Sequence, residues 1–228
     1  MKRAGLLWAA VAAVIVVSGC SNSERPPSER GAAVGTGGAG ADVKSDAEFV
    51  RDVALKNMAE IELSRMAVDK AASPEIKAFA QLMIHDHDAA GNKLKAIVSG
   101  RSIDWPTQLD DKHRETVDDL AKKQGAEFDR DYAEAMVEGH QNLAAKLESR
   151  LDVQSLAEWK TAAAGRTESK ALPEPKAALP DVNVRPNKSD DETTKQINQW
   201  AADTYPIAQK HLDTARTLEN ATKKGTTH

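Results

Sequence analysis

Three histidines and one glutamate carry the chemistry this sequence offers. Around Met83-Ile84-His85-Asp86-His87-Asp88, apolar residues recur at helical spacing (Phe79/Ala80, Met83/Ile84, Leu94, Ile97/Val98). His87 lies on that stripe, whereas His85 and Asp88 point away from it. An imidazole on the core side of a helix needs a partner, because an unpaired buried polar group costs about 1–3 kcal/mol. Three other segments offer one each. Glu60 interrupts the stripe of Phe49, Val53, Leu63 and Ala67, and His140 that of Phe128, Tyr132, Met136, Leu143 and Leu147. His211 interrupts the stripe of Ile197, Trp200, Ile207, Ala215 and Leu218. Neutral imidazoles with one carboxylate suit a divalent transition metal such as Zn, Fe, Mn or Cu. The plain alternative is a buried network in which Glu60 accepts from the imidazole N–H groups. Met83 and Met136 each precede a core histidine by four residues. Their thioethers could serve copper or haem, but core filling is the simpler expectation. Asp86 reads either as solvated or as orienting an imidazole from behind, and Tyr132 is placed to sit near His140 or to anchor packing through its hydroxyl. Glu62 and Asp88 read as solvated, and His85, His113 and His228 as exposed. No Ser-His-Asp or Cys-His arrangement suggests a covalent nucleophile, so no catalytic residue is assigned, and a binding protein is expected before an enzyme.

The elements that must position these residues follow from periodicity and caps. A helix is expected from Asp46 to Ala71, with Ser45 and Glu48 as a capping box. Ser73-Pro74 then opens a second helix to about Ser99. So short a gap makes the two antiparallel neighbours. Glu60 lies 13 residues before Ser73 and His87 lies 14 after it. At about 1.5 Å per residue both sit roughly 20 Å from that turn, at one level. Gly100–Thr107 reads as a loop, Gln108–Lys123 as a short polar helix broken at Gly125, and Glu127–Leu151 as the third long helix. Residues 152–190, with Pro173, Pro175, Pro180 and Pro186, read as a long mobile insertion in which Leu156–Ala164 forms at most a turn or two. Asp191–Ala221 is the last helix, with Pro206 inside it as an expected kink, and 222–228 a disordered tail. Four amphipathic helices that need one another's faces make an all-α four-helix bundle.

Composition agrees. The chain has 228 residues, 4% aromatic, and a formal charge of −4. No segment concentrates basic residues, which argues against nucleic acid as a partner. The single cysteine, Cys20, excludes an intrachain disulfide and a cysteine-only metal site. Residues 1–19 read as an export signal, with Lys2 and Arg3 before the apolar run Gly5–Val17. Ser18-Gly19-Cys20 resembles the lipobox of bacterial lipoproteins. That resemblance implies lipidation of Cys20, anchoring to a membrane and, with Ser21 next, the outer membrane facing the periplasm in a Gram-negative cell. Residues 20–44, rich in Gly, Ser, Pro and Ala, read as a flexible tether. Its GxGxxG, Gly35–Gly40, follows no strand, so it does not read as a nucleotide fingerprint.

Several pieces resemble the bacterial family called domain of unknown function 4142. They are Ala59-Glu60-Ile61-Glu62-Leu63, Phe79-Ala80-Gln81-Leu82-Met83 with Asp86-His87, Phe128-Asp129-Arg130-Asp131-Tyr132 leading to Met136-Val137 and His140, and Pro206 with His211-Leu212. The resemblance spans most of residues 45–221 and implies a ferritin-like bundle in an exported protein, without an established activity. This chain departs from it by the long insertion before the last helix. Paired Glu-x-x-His motifs of di-iron ferritin-like proteins are also absent from the core helices. The expectation is an envelope-anchored lipoprotein whose bundle binds a transition metal for storage, sensing or stress protection. The alternative is a non-enzymatic envelope module with a structural Glu/His layer.

Overall fold

The computed structural model describes residues 38–165, 180 and 182–225. The expected export signal, Cys20, residues 20–37, Pro173, Pro175 and His228 lie outside the described residues. Six helices follow in order: α1 (Gly38–Lys70), α2 (Pro74–Val98), α3 (Asp111–Ala121), α4 (Gly125–Glu148), α5 (Val153–Ala164) and α6 (Glu192–Gly225). The fold is all-α, with no strand among the described residues.

Local chemistry explains most boundaries. Ser73 caps α2 by accepting from the backbone N–H groups of Glu75 and Ile76, and Pro74 sits at the first helical position. Asp110 caps α3 through His113 N, and Asp152 caps α5 through Ser155 N. Gly100 (φ 73°) and Gly125 (φ 58°) take left-handed conformations where α2 ends and where α4 begins. At the turn between α1 and α2, the carboxylate of Asp129 on α4 accepts from Ala72 N (2.9 Å) and Ser73 N (2.8 Å).

Four long helices form the bundle, and cross-helix contacts give their directions. Glu60 meets His87 and His140, so α1 runs antiparallel to both α2 and α4 once the contacts nearer their ends are added. Those are Asn57 against Gly91, Ser64 with Tyr132 (2.9 Å) and Lys146 with Asp52 (2.6 Å). On α6, Asp86 pairs with His211, Lys93 with Asp203 and Glu148 with Tyr205. Hence α6 is antiparallel to α2 and α4, while α2 and α4 run parallel. A parallel pair needs a crossover, and residues 99–124, including α3, supply it. One long crossover is the connectivity of ferritin-like bundles.

The core is divided. One apolar cluster holds Phe49, Val53, Leu94, Leu147, Trp159 and Trp200. The other holds Leu63, Ile76, Phe79, Met83, Phe128 and Met136. Along α2, α4 and α6 the polar intruder lies between the residues given to one cluster and those given to the other, and on α1 Glu60 directly follows Ala59, the first α1 residue of the second cluster. Both methionines are fully buried core residues.

Several expectations change. Helix α1 begins at Gly38, so residues 38–44 are helical rather than tether, and Ser45 lies inside the helix instead of capping it. Two short helices are present where one was expected. Leu156–Ala164 belongs to a 12-residue helix whose Trp159 is buried. Residues 182–190 are a strap rather than a loose insertion. Asp152 N donates to Arg185 O (2.9 Å), Asn187 N donates to Arg150 O (2.8 Å), and Val184 is buried. The helix α6 continues to Gly225, into the expected tail, with Pro206 inside it. Ile207, expected on the inward stripe, is 43% exposed.

Candidate metal centre

Glu60, His87, His140 and His211 are all buried and meet in one layer, one from each long helix. The three imidazoles form a near-equilateral triangle, with ring centroids 5.4, 5.5 and 5.7 Å apart. Their ligand nitrogens lie within 4.8 Å of one another. His87 Nδ1 is 3.3 Å from Glu60 Oε2, and His140 Nδ1 is 3.9 Å from Oε1. Neither approach has hydrogen-bonding geometry, for both carboxylate oxygens lack a hydrogen-bond partner.

The outward contacts fix two tautomers. His140 Nδ1 lies 2.9 Å from the Met136 carbonyl oxygen, one turn back on α4. A carbonyl can only accept, so Nδ1 carries the proton and Nε2 keeps its lone pair. His211 Nε2 lies 2.9 Å from Asp86 Oδ2, so it too donates outward and leaves Nδ1 as the lone-pair nitrogen. Metal-binding histidines are oriented in this way, by a carbonyl or carboxylate behind the ring. Asp86 also takes His85 Nδ1 on its other oxygen (2.8 Å).

Four buried atoms remain without a hydrogen-bond partner: both oxygens of Glu60, His87 Nδ1 and His140 Nε2. Leaving each such group unpaired costs about 1–3 kcal/mol. Electrostatics agree with that cost. Burial raises the Glu60 carboxyl above its ordinary value, against smaller downward pulls from His140, Lys56 and His113. Burial holds His87 well below the usual imidazole value, with His140 and His211 acting the same way. His211 is lowered by burial, although Asp86 partly counters it. Asp86 itself is held at about 2, chiefly by its hydrogen bond from His211. At His87 and His211 the charged imidazole is disfavoured, and the Glu60 carboxyl beside them is pushed toward protonation, a state that a bound cation would reverse.

The remaining candidates are placed elsewhere. Tyr132 donates to or accepts from Ser64 Oγ rather than reaching an imidazole, and burial pushes its phenol up. His85 is exposed. His113, expected exposed, is only about one-fifth so and pairs with Asp110 Oδ1 (2.6 Å). Sequence reasoning passed over Gly139, whose missing side chain makes room for Glu60 Oε1, and Gly91, which does the same for Asn57. It also passed over a cleft of about 40 Å³ beside the imidazoles, walled in part by Asn57, His87, Trp200 and His211.

A family profile for a domain of unknown function, DUF4142, matches residues 32–170. The chain belongs to this family. The DUF4142 match covers α1 to α5, hence Glu60, His87 and His140, and stops before α6 and His211. It begins earlier and ends sooner than the motif resemblance over 45–221. No curated protein and no solved structure matches the chain. Among the described residues no helix is long and apolar enough to cross a membrane.

Proposed function

We propose that this DUF4142 protein binds one divalent transition-metal ion through Glu60, His87, His140 and His211, as an exported lipoprotein held to the envelope through Cys20. Storage, sensing and protection against metal or oxidative stress are the roles this chemistry serves. The observation that carries the reading is the set of four partnerless buried atoms on Glu60, His87 and His140. A structural network would consume those atoms in hydrogen bonds, so the alternative of an inert polar layer has less support. Three imidazoles and one carboxylate suit Zn, Fe, Mn or Cu, and the carbonyl behind His140 and carboxylate behind His211 suit ligand roles.

The test is a thermal melt of metal-stripped protein with and without added Zn²⁺ or Mn²⁺, beside metal analysis of the purified chain. An ion that binds only the assembled bundle at 100 times its Kd adds about 2.7 kcal/mol. For a chain of this size that is a rise of roughly 5–10 °C in Tm. His87→Ala and His140→Ala abolish the rise, whereas His85→Ala, outside the layer, keeps it. Equal rises in parent and His87→Ala end the metal reading and leave the structural module.

A further inference from the structure

We propose that the metal centre keeps a coordination position open to the surface, and that a ligand of one to three heavy atoms, bonding through oxygen or nitrogen, reaches it through the cleft between α2 and α6. This rests on the metal reading above. The cleft holds about 40 Å³, room for two or three water-sized groups at roughly 10–15 Å³ each. His87 and His211 form part of its wall, and Glu60 and His140 do not. Two of the four side chains of the centre therefore border the cleft, while the other two, on α1 and α4, are buried away from it. Ile207, 43% exposed, stands among the lining residues on α6 and marks the outer end.

The walls select by size and polarity. No lysine or arginine lines the cleft, and its one charged wall residue, Asp86, is a carboxylate engaged by His211 and His85, so nothing there holds a phosphate or a carboxylic acid by charge. Val53, Ala90, Leu143, Trp200, Ile207 and Ala208 give it an apolar surface. Thr204 spends its hydroxyl proton on Trp200 O (2.7 Å) and Trp200 its indole N–H on Ala90 O (3.0 Å). The side-chain amide of Asn57 is the neutral donor left in the wall. A ligand that bonds to the ion and otherwise asks for little fits this space, such as water, hydroxide, peroxide or dioxygen. Structural metal sites are closed by protein ligands, whereas sites that exchange ligands keep one position open.

The full chain loaded with Co²⁺ and titrated with azide tests this by visible absorption. Azide shifts the Co²⁺ bands of the parent. Ala90→Leu, which fills the cleft, keeps the bands but weakens the azide response at least tenfold. Ile207→Ala, which widens the outer end at a half-exposed position, speeds azide association several-fold. Co²⁺ bands that azide leaves unmoved overturn the open position while leaving the metal centre standing. Equal azide responses in parent and Ala90→Leu overturn the route. Absence of Co²⁺ bands in the parent overturns the metal centre and this proposal together. Where Ala90→Leu does not fold, an association rate in Ile207→Ala equal to that of the parent overturns it instead.

Discussion

At residue scale, the Glu60 carboxylate fits against α4 because Gly139 presents no side chain there; a methyl at that position would overlap Oε1. Gly139→Ala therefore drives the carboxylate out of its place. It is expected to cost about 1–3 kcal/mol by overpacking and to shrink the metal-induced rise in Tm, both read from melts with and without Zn²⁺. Titration gives a second expectation. Burial depresses His87 far below its ordinary 6.5. The unfolded chain takes up that proton below about pH 6.5 and the folded chain does not, so stability is full above that pH and is lost as pH falls. Glu60 acts in the opposite sense: its raised value makes its contribution fall as pH rises from 4.5. In metal-free protein, His87→Leu is expected to lose less Tm than the parent between pH 6.5 and 5, and an equal loss contradicts the buried neutral imidazole. The four donors were legible because each is a polar residue on an apolar stripe. Gly139 and Asn57 were not, since their meaning lies in a neighbour across the bundle rather than in their own helix.

At the scale of elements, one end of the bundle is fastened by a buried ion pair that no periodicity announces. Arg150 donates to Asp46 Oδ1 and to Ser45 O (2.9 Å), and Thr194 Oγ1 donates to Asp46 Oδ2 (2.7 Å). The guanidinium carbon also lies 4.5 Å from the Phe49 ring centre. The pair ties α1 to α6 and to the segment after α4, and the strap at Asn187 hydrogen-bonds the Arg150 carbonyl. Arg150→Ala strands a buried carboxylate and is expected to cost about 3–5 kcal/mol, while Asp46→Leu with Arg150→Met recovers much of it. Chemical denaturation of the two variants checks the contrast. Helices α2, α3 and the core of α4 were legible from caps, proline and stripes. The strap was misread because prolines and charges signal irregular backbone, which it is, but say nothing of whether that backbone finds partners. Ser45 was misread as a cap because α1 continues back to Gly38.

At the scale of the whole molecule, the bundle was legible from four amphipathic stripes and one very short turn. The parallel pairing of α2 with α4 was not, because the direction of a long connection leaves no periodic trace. The proposed export signal supplies its own expectation: Cys20→Ser blocks lipidation and leaves an unprocessed precursor in membranes, whereas a variant processed and fractionating like its parent contradicts the anchor. Chain order adds a matter of timing. His211 follows His140 by 71 residues and comes from the last helix to be made. A chain still crossing a membrane, or cut short before α6, owns at most three of the four donors and lacks one wall of the cleft. On the proposed reading, an ion held at full affinity therefore certifies that the polypeptide is whole through α6.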